Sequence, residues 1–96
     1  MLRISVTDTK GENRWILQGE LVGPWVGELR SCWKKKRRGR DGQKCIFDLN
    51  EVSFIDKSGE RLLRAICKKG AELVANGMYT KHVIEKVKTR SKLQLS

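Results

Sequence analysis

Ser58 is the side chain in this sequence whose type and setting best suit a chemical role. It follows Asp56 and Lys57, precedes Gly59, and stands where an apolar run gives way to a helical period. A serine or aspartate at such a junction accepts an orphan backbone N–H of the helix, so Asp56 and Ser58 are both candidate N-caps. The Ser58 hydroxyl is equally a candidate phosphoacceptor. A phosphate there adds about −1.5 to −2 charge at a helix N-terminus, where free N–H groups and the helix dipole favour an anion. Lys57 beside it and Arg61 one turn on are the candidate phosphate-pairing residues, whereas Glu60 opposes the new charge.

The other reactive residue types form no catalytic set. His82 is the single imidazole, and as a general base it would need a nucleophile and an orienting partner that the sequence does not supply. Cys32, Cys45 and Cys67 are odd in number and far apart, with no C-x-x-C pair, which argues against a disulfide framework or a zinc site and fits a reducing cytoplasm. No G-x-G-x-x-G or P-loop follows a strand. The expectation is a non-enzymatic protein with no catalytic residue, metal or cofactor.

The elements that must position Ser58 follow from hydrophobic period. Leu2, Ile4 and Val6 alternate with polar residues, and Trp15 and Leu17 alternate again beyond Gly11-Glu12-Asn13, which predicts two strands joined by a loop of about four to six residues. Gly23-Pro24 opens a helix with proline in its first turn; Trp25, Val26, Leu29, Cys32 and Trp33 form its apolar stripe, and Gly39 ends it before an Asp41-Gly42 turn. Cys45-Ile46-Phe47 reads as a short strand covered on both faces. A second helix starts near Ser58-Gly59, buries Leu62, Leu63, Ile66 and Cys67, and closes at Gly70. Leu73-Val74-Ala75 reads as a strand and Asn76-Gly77 as its turn, with Thr80 the cap of a last helix bearing Val83, Ile84 and Val87. The fold class is α/β: a single-layer, mixed or mostly parallel four-stranded sheet with about three helices. Residues 1–88 make one domain, and 89–96, which have no period, a disordered tail.

Charge narrows the partners. The 96-residue chain carries 21 Lys and Arg against 11 Asp and Glu, a net charge of +10. The densest block is Lys34-Lys35-Lys36-Arg37-Arg38-Gly39-Arg40, which suits either a solvated helix end or, as an alternative function, a nucleic-acid or anionic-surface site. Trp25 and Trp33 lie on the apolar stripe instead of interleaving with these cations, so a base-stacking platform is missing. Residues 45–60, around Ser58, are net −3. No apolar stretch is long enough to span a bilayer and Met1 to Val6 lack a signal-peptide core, so a soluble, cytoplasmic protein is expected.

The run Asp48-Leu49-Asn50-Glu51-Val52-Ser53-Phe54-Ile55-Asp56-Lys57-Ser58-Gly59, with Leu62-Leu63 beyond it, resembles the signature of STAS domains, the sulfate-transporter and anti-sigma-factor-antagonist family. In that family a strand runs into an acidic D-x-S-G or D-S-S-G turn before a helix. Leu17-Gln18-Gly19-Glu20-Leu21 is similar to the family's L-x-G-E-L strand end, and Gly70-Ala71-Glu72-Leu73 to its glycine before the next strand; together they cover most of residues 2–87. The resemblance implies the STAS fold and a partner-switching module. In stand-alone bacterial members the unmodified domain binds a serine kinase that is also an anti-sigma factor, phosphorylation ends that binding, and a phosphatase restores it. Carried over by position, Ser58 is the phosphoacceptor, and Phe54, Asp56, Lys57, Ser58, Gly59, Glu60 and Arg61 form the partner-binding stretch. Lys57 stands where a second hydroxyl residue is usual, and Glu60-Arg61 where an apolar one is.

Overall fold

Alternating apolar residues build a hairpin from the first twenty-one positions. Leu2, Ile4 and Val6 of β1 (Leu2–Thr9) share a face with Asn13, Trp15 and Leu17 of β2 (Glu12–Leu21) across an antiparallel register from Leu2↔Gly19 to Thr9↔Glu12. The turn is only Lys10-Gly11, shorter than the period suggests, because polar residues extend the ladder: Asp8 accepts a hydrogen bond from the buried Asn13 amide.

The computed structural model describes residues 1–37 and 44–95. Beyond β2, the helix α1 (Pro24–Arg37) starts at the proline, as expected, and buries Val26, Leu29 and Trp33. The expected stop at Gly39 and the Asp41-Gly42 turn lie outside the described residues.

The strand that follows differs from its sequence reading. β3 (Lys44–Ile55) has twelve residues, not three, and runs parallel to β2. Two irregularities in the pairing, between Ile16 and Gln18 and between Gly19 and Glu20, each set one extra β3 residue against β2. They break a strict alternation, so Leu49, Val52 and Ile55 all stay buried although their spacing is three. That spacing is why the segment does not look like a strand in sequence. Cover on both faces holds for the stretch read from the sequence, where Ile46 and Phe47 point to opposite faces and are both buried, but not for the rest of β3. Phe47 faces the helices and stacks on Trp15 with ring centroids 5.1 Å apart, whereas the opposite face carries polar pairs: Arg14 with Asp48 at 3.0 Å and Gln18 with Glu51 at 2.7 Å.

The helix α2 (Lys57–Lys68) buries Leu62, Leu63 and Ile66, and ends at Gly70, whose φ of +98° suits a residue without Cβ. There the Gly70 N–H donates to the Cys67 carbonyl and the Ala71 N–H to that of Ile66, the paired bonds of a glycine-terminated helix. β4 (Glu72–Val74) pairs parallel with β3. α3 (Met78–Leu95) buries Val83, Ile84 and Val87. It begins two residues before Thr80, which does not cap it; the buried Thr80 hydroxyl instead donates to the Gly77 carbonyl at 3.2 Å. Helical backbone continues past Lys88 to Leu95. Lys, Arg, Gln and Leu in that stretch are good helix formers and sustain a helix without an apolar stripe.

The result is a mixed four-stranded sheet in the order β1-β2-β3-β4, with α2 packed between α1 and α3. This is the α/β class expected from the sequence. It brings the C-terminal end of β3 and the start of α2 to one end of the sheet, beside the β2–α1 connection.

Candidate interaction site at the start of α2

Asp56 is the hub of this end of the molecule. It is the N-cap of α2: its Oδ1 accepts from the Gly59 N–H at 2.8 Å and from the Ser58 hydroxyl at 2.7 Å. Its Oδ2 accepts from the Gly23 N–H at 3.0 Å, so one carboxylate joins the β2–α1 connection to the first turn of α2. These donors, the Gly23 amide first, then the Ser58 hydroxyl and the Gly59 amide, hold the Asp56 carboxyl below the usual carboxylate range. Of the two candidate caps, Asp56 caps, and Ser58 is a half-buried donor to it.

Gly59 belongs to the packing beneath the site and not to its surface. It is buried, and a Cβ on it would meet the Leu21 carbonyl oxygen at 2.6 Å and Ile55 Cγ2 at 2.9 Å. A glycine is needed for α2 to approach β2 this closely. Lys57 and Arg61 are exposed on the outer side of α2. Glu60 is turned toward α3 and meets Lys86 at 3.4 Å. With Arg64, whose Nε is buried and without a hydrogen-bond partner, these residues line a small groove between α2 and α3.

Phe54 is half exposed at the end of β3 and stacks on Tyr79, ring centroids 6.2 Å apart and planes within 9°. The Tyr79 hydroxyl accepts from the Ile55 N–H at 3.0 Å and donates to the Ile55 carbonyl at 3.3 Å, which fixes the ring against the strand end. Met78, 90% exposed, adjoins Tyr79 in the chain. Exposed aromatic rings held in place by backbone bonds are the kind of surface that anchors protein interfaces. The sequence reading found Phe54 but not Tyr79, Met78 or Gly23. No local pattern marks Tyr79 or Gly23, because their partners lie more than twenty residues away along the chain.

The remaining candidates lie elsewhere. Trp33 is buried and Trp25 half-buried against the core, so neither is free to stack on a base. Lys34 and Lys35 are exposed, Lys36 is paired with Asp8 at 2.8 Å, and residues 38–40 lie outside the described ones. His82 is exposed on α3. Among the described residues no group of three or more His, Cys, Asp or Glu is placed to hold a metal, and no helix is long and apolar enough to cross a membrane.

Comparisons with known proteins agree with this geometry at the level of fold. No family model matches the chain, and no curated protein matches it in sequence. The solved structure of the anti-sigma factor antagonist SpoIIAA in its unphosphorylated form superposes with a TM-score of 0.56 at 16% identity, over 90% of this chain and 98% of that one. The crystal structure of Mglu superposes with a TM-score of 0.59 at 19% identity over 76% of this chain, which spans 19% of Mglu. With its mixed sheet, its three helices and its near end-to-end superposition, the chain has the STAS-like fold of the anti-sigma factor antagonist SpoIIAA.

Proposed function

We propose that the chain is a non-enzymatic regulatory module of the anti-sigma-factor-antagonist type, binding a protein partner at the end of β3 and the first turn of α2, with phosphorylation of Ser58 as its switch. The observation that carries this reading is the bond from the Ser58 hydroxyl to Asp56, the carboxylate that also holds Gly23 and Gly59. A phosphorylated Ser58 no longer donates to Asp56, and its charge of about −1.5 to −2 stands beside that carboxylate. The repulsion acts on the link between α2 and the β2–α1 connection, next to the Phe54 and Tyr79 rings. Lys57 and Arg61 are the cations nearest in sequence to receive the phosphate. The partner class this reading names is a serine kinase that doubles as an anti-sigma factor, with a serine phosphatase restoring the bound state, all in the cytoplasm. The likeness to SpoIIAA supports it.

Affinity capture with wild type, Ser58→Ala and Ser58→Asp tests the switch. The expected result is a partner retained by wild type and Ser58→Ala and lost by Ser58→Asp. Identical partner sets for all three proteins would remove Ser58 from the mechanism. The intact mass of the protein from its own cells, before and after phosphatase treatment, reports whether the modification occurs.

A further inference from the structure

A cleft of about 700 Å³ lies away from Ser58, along the β4 edge of the sheet. Its floor is β4 and the residues after it, Leu73 to Asn76, and it is bounded by α3 on one side of the sheet and by Arg14 and Asn50 on the other. β4 is the last strand in the order and pairs with β3 alone, so among the described residues its outer backbone edge carries no strand. Such an edge presents unpaired N–H and C=O groups ready to bond an extended chain. Three residues are too few to hold a strand by backbone bonds alone, so side chains around the edge must select what binds.

Of the charged side chains lining the cleft, three are cations, Arg14, Lys81 and Lys88, and one is an acid, Glu85. On α3, Lys81, Glu85 and Lys88 face the cleft with Ile84, at steps of three and four residues that place them on one side of the helix. Neither Lys81 nor Lys88 makes an ion pair among the described residues. Arg14, on the far face of the sheet, spends one nitrogen on Asp48 at 3.0 Å and keeps the other donors of its fork. Lys81 and Lys88 are two helical turns apart, about 10 Å, the length of roughly three extended residues. An added strand would alternate its side chains between the two faces, one row toward Arg14 and the other over Ile84 between the two lysines. Both rows meet cations; of the acids nearby, Glu85 lines the cleft, Asp48 is held by Arg14, and Glu72 at the start of β4 is paired with Lys44 at 4.0 Å.

We propose that the outer edge of β4 and the adjoining face of α3 form a docking groove for an acidic, extended segment of a partner protein, which joins the sheet as a fifth strand. The occupant is fixed by charge complementarity and by the strand edge together. This surface is separate from the Ser58 site, and the proposal holds whether or not Ser58 is phosphorylated.

The test uses the full chain and a capped seven-residue peptide alternating glutamate with valine, followed by backbone amide NMR. Saturable shifts are expected at residues 72–76 and at Lys81, Ile84, Glu85 and Lys88. A peptide with lysine replacing glutamate should bind at least about tenfold more weakly, and the double variant Lys81→Glu, Lys88→Glu should reverse that preference. Methylating alternate backbone nitrogens of the glutamate peptide should abolish binding in one of the two phases, since only one row of amides faces β4. Equal binding of the two peptides, shifts centred on Lys57, Arg61 and Arg64, or indifference to backbone methylation would each overturn the proposal. So would concentration-dependent shifts at β4 without peptide, which would assign the edge to a second copy of the chain.

Discussion

At residue scale, Asp56 ties the β2–α1 connection to the first turn of α2. Capping by aspartate or serine is interchangeable in a sequence, yet here the two residues divide the work: Asp56 accepts three bonds and Ser58 supplies one of them. Removing the carboxylate leaves the Gly59 and Gly23 amides without their acceptor. Asp56→Ala should therefore cost about 1–2 kcal/mol, the range for a lost N-cap. That corresponds to a melting temperature lower by roughly 5–15 °C for a domain of this size. An unchanged melting temperature would show that Asp56 is not the joint between α2 and the β2–α1 connection. The pH dependence follows from the same bonds. A carboxyl whose folded-state pKa lies below its unfolded value stabilises the fold above the unfolded pKa, and that stabilisation is lost as pH falls through the folded one. For Asp56 the loss begins below about pH 4, and Asp56→Asn should flatten the stability profile there. Asp48 adds to it in the same direction: burial pushes its carboxyl up, but the Asn50 N–H, with Arg14 and the Asn50 side chain, outweighs burial and holds it down.

At the scale of elements, the approach of α2 to β2 is set by one missing methyl group. Alanine favours a helix over glycine by about 1 kcal/mol, so an isolated helix would gain from Gly59→Ala. In this fold the new Cβ would stand 2.6 Å from a backbone oxygen of Leu21, which has no rotamer with which to yield. Overpacking of that kind costs about 1–3 kcal/mol, and with the backbone as the obstacle the upper part of the range applies. The net expectation is a loss of roughly 1–2 kcal/mol in chemical denaturation. A stabilised variant would mean that α2 can shift outward freely. β3 teaches a related lesson. Its two irregularities let buried residues recur at intervals of three, so Leu49, Val52 and Ile55 resemble a helical stripe in sequence although they belong to a strand. Their pairing with β2 resolves the ambiguity, and no window of neighbouring residues contains that information.

Across the whole molecule, the charge of +10 is segregated. The segment from 45 to 60 is acidic, while the outer side of α2 and the length of α3 carry exposed Lys57, Arg61, Lys68, Lys69, Lys81, Lys86 and Lys88. A partner approaching the Ser58 end meets an aromatic patch beside a cationic helix face, and so should itself be acidic. Its association rate should fall at least about tenfold between 50 and 500 mM salt, as the Debye length shortens from roughly 14 to 4 Å. A salt-independent rate would show that the cations serve solubility alone.

The sequence by itself determined the class of the fold, the order of strands and helices, the glycine stop at Gly70 and the position of Ser58 at a strand-to-helix junction. Each depends on neighbours within a few residues: hydrophobic period, turn chemistry and capping types. The structure decided which of two capping residues caps, how far β3 and α3 run, that Gly59 is pressed against Leu21, and that Tyr79 stacks on Phe54. Those outcomes depend on contacts between residues distant in the chain, Gly23 with Asp56 and Phe54 with Tyr79 among them, and such contacts exist only once the sheet has set which strand ends lie side by side.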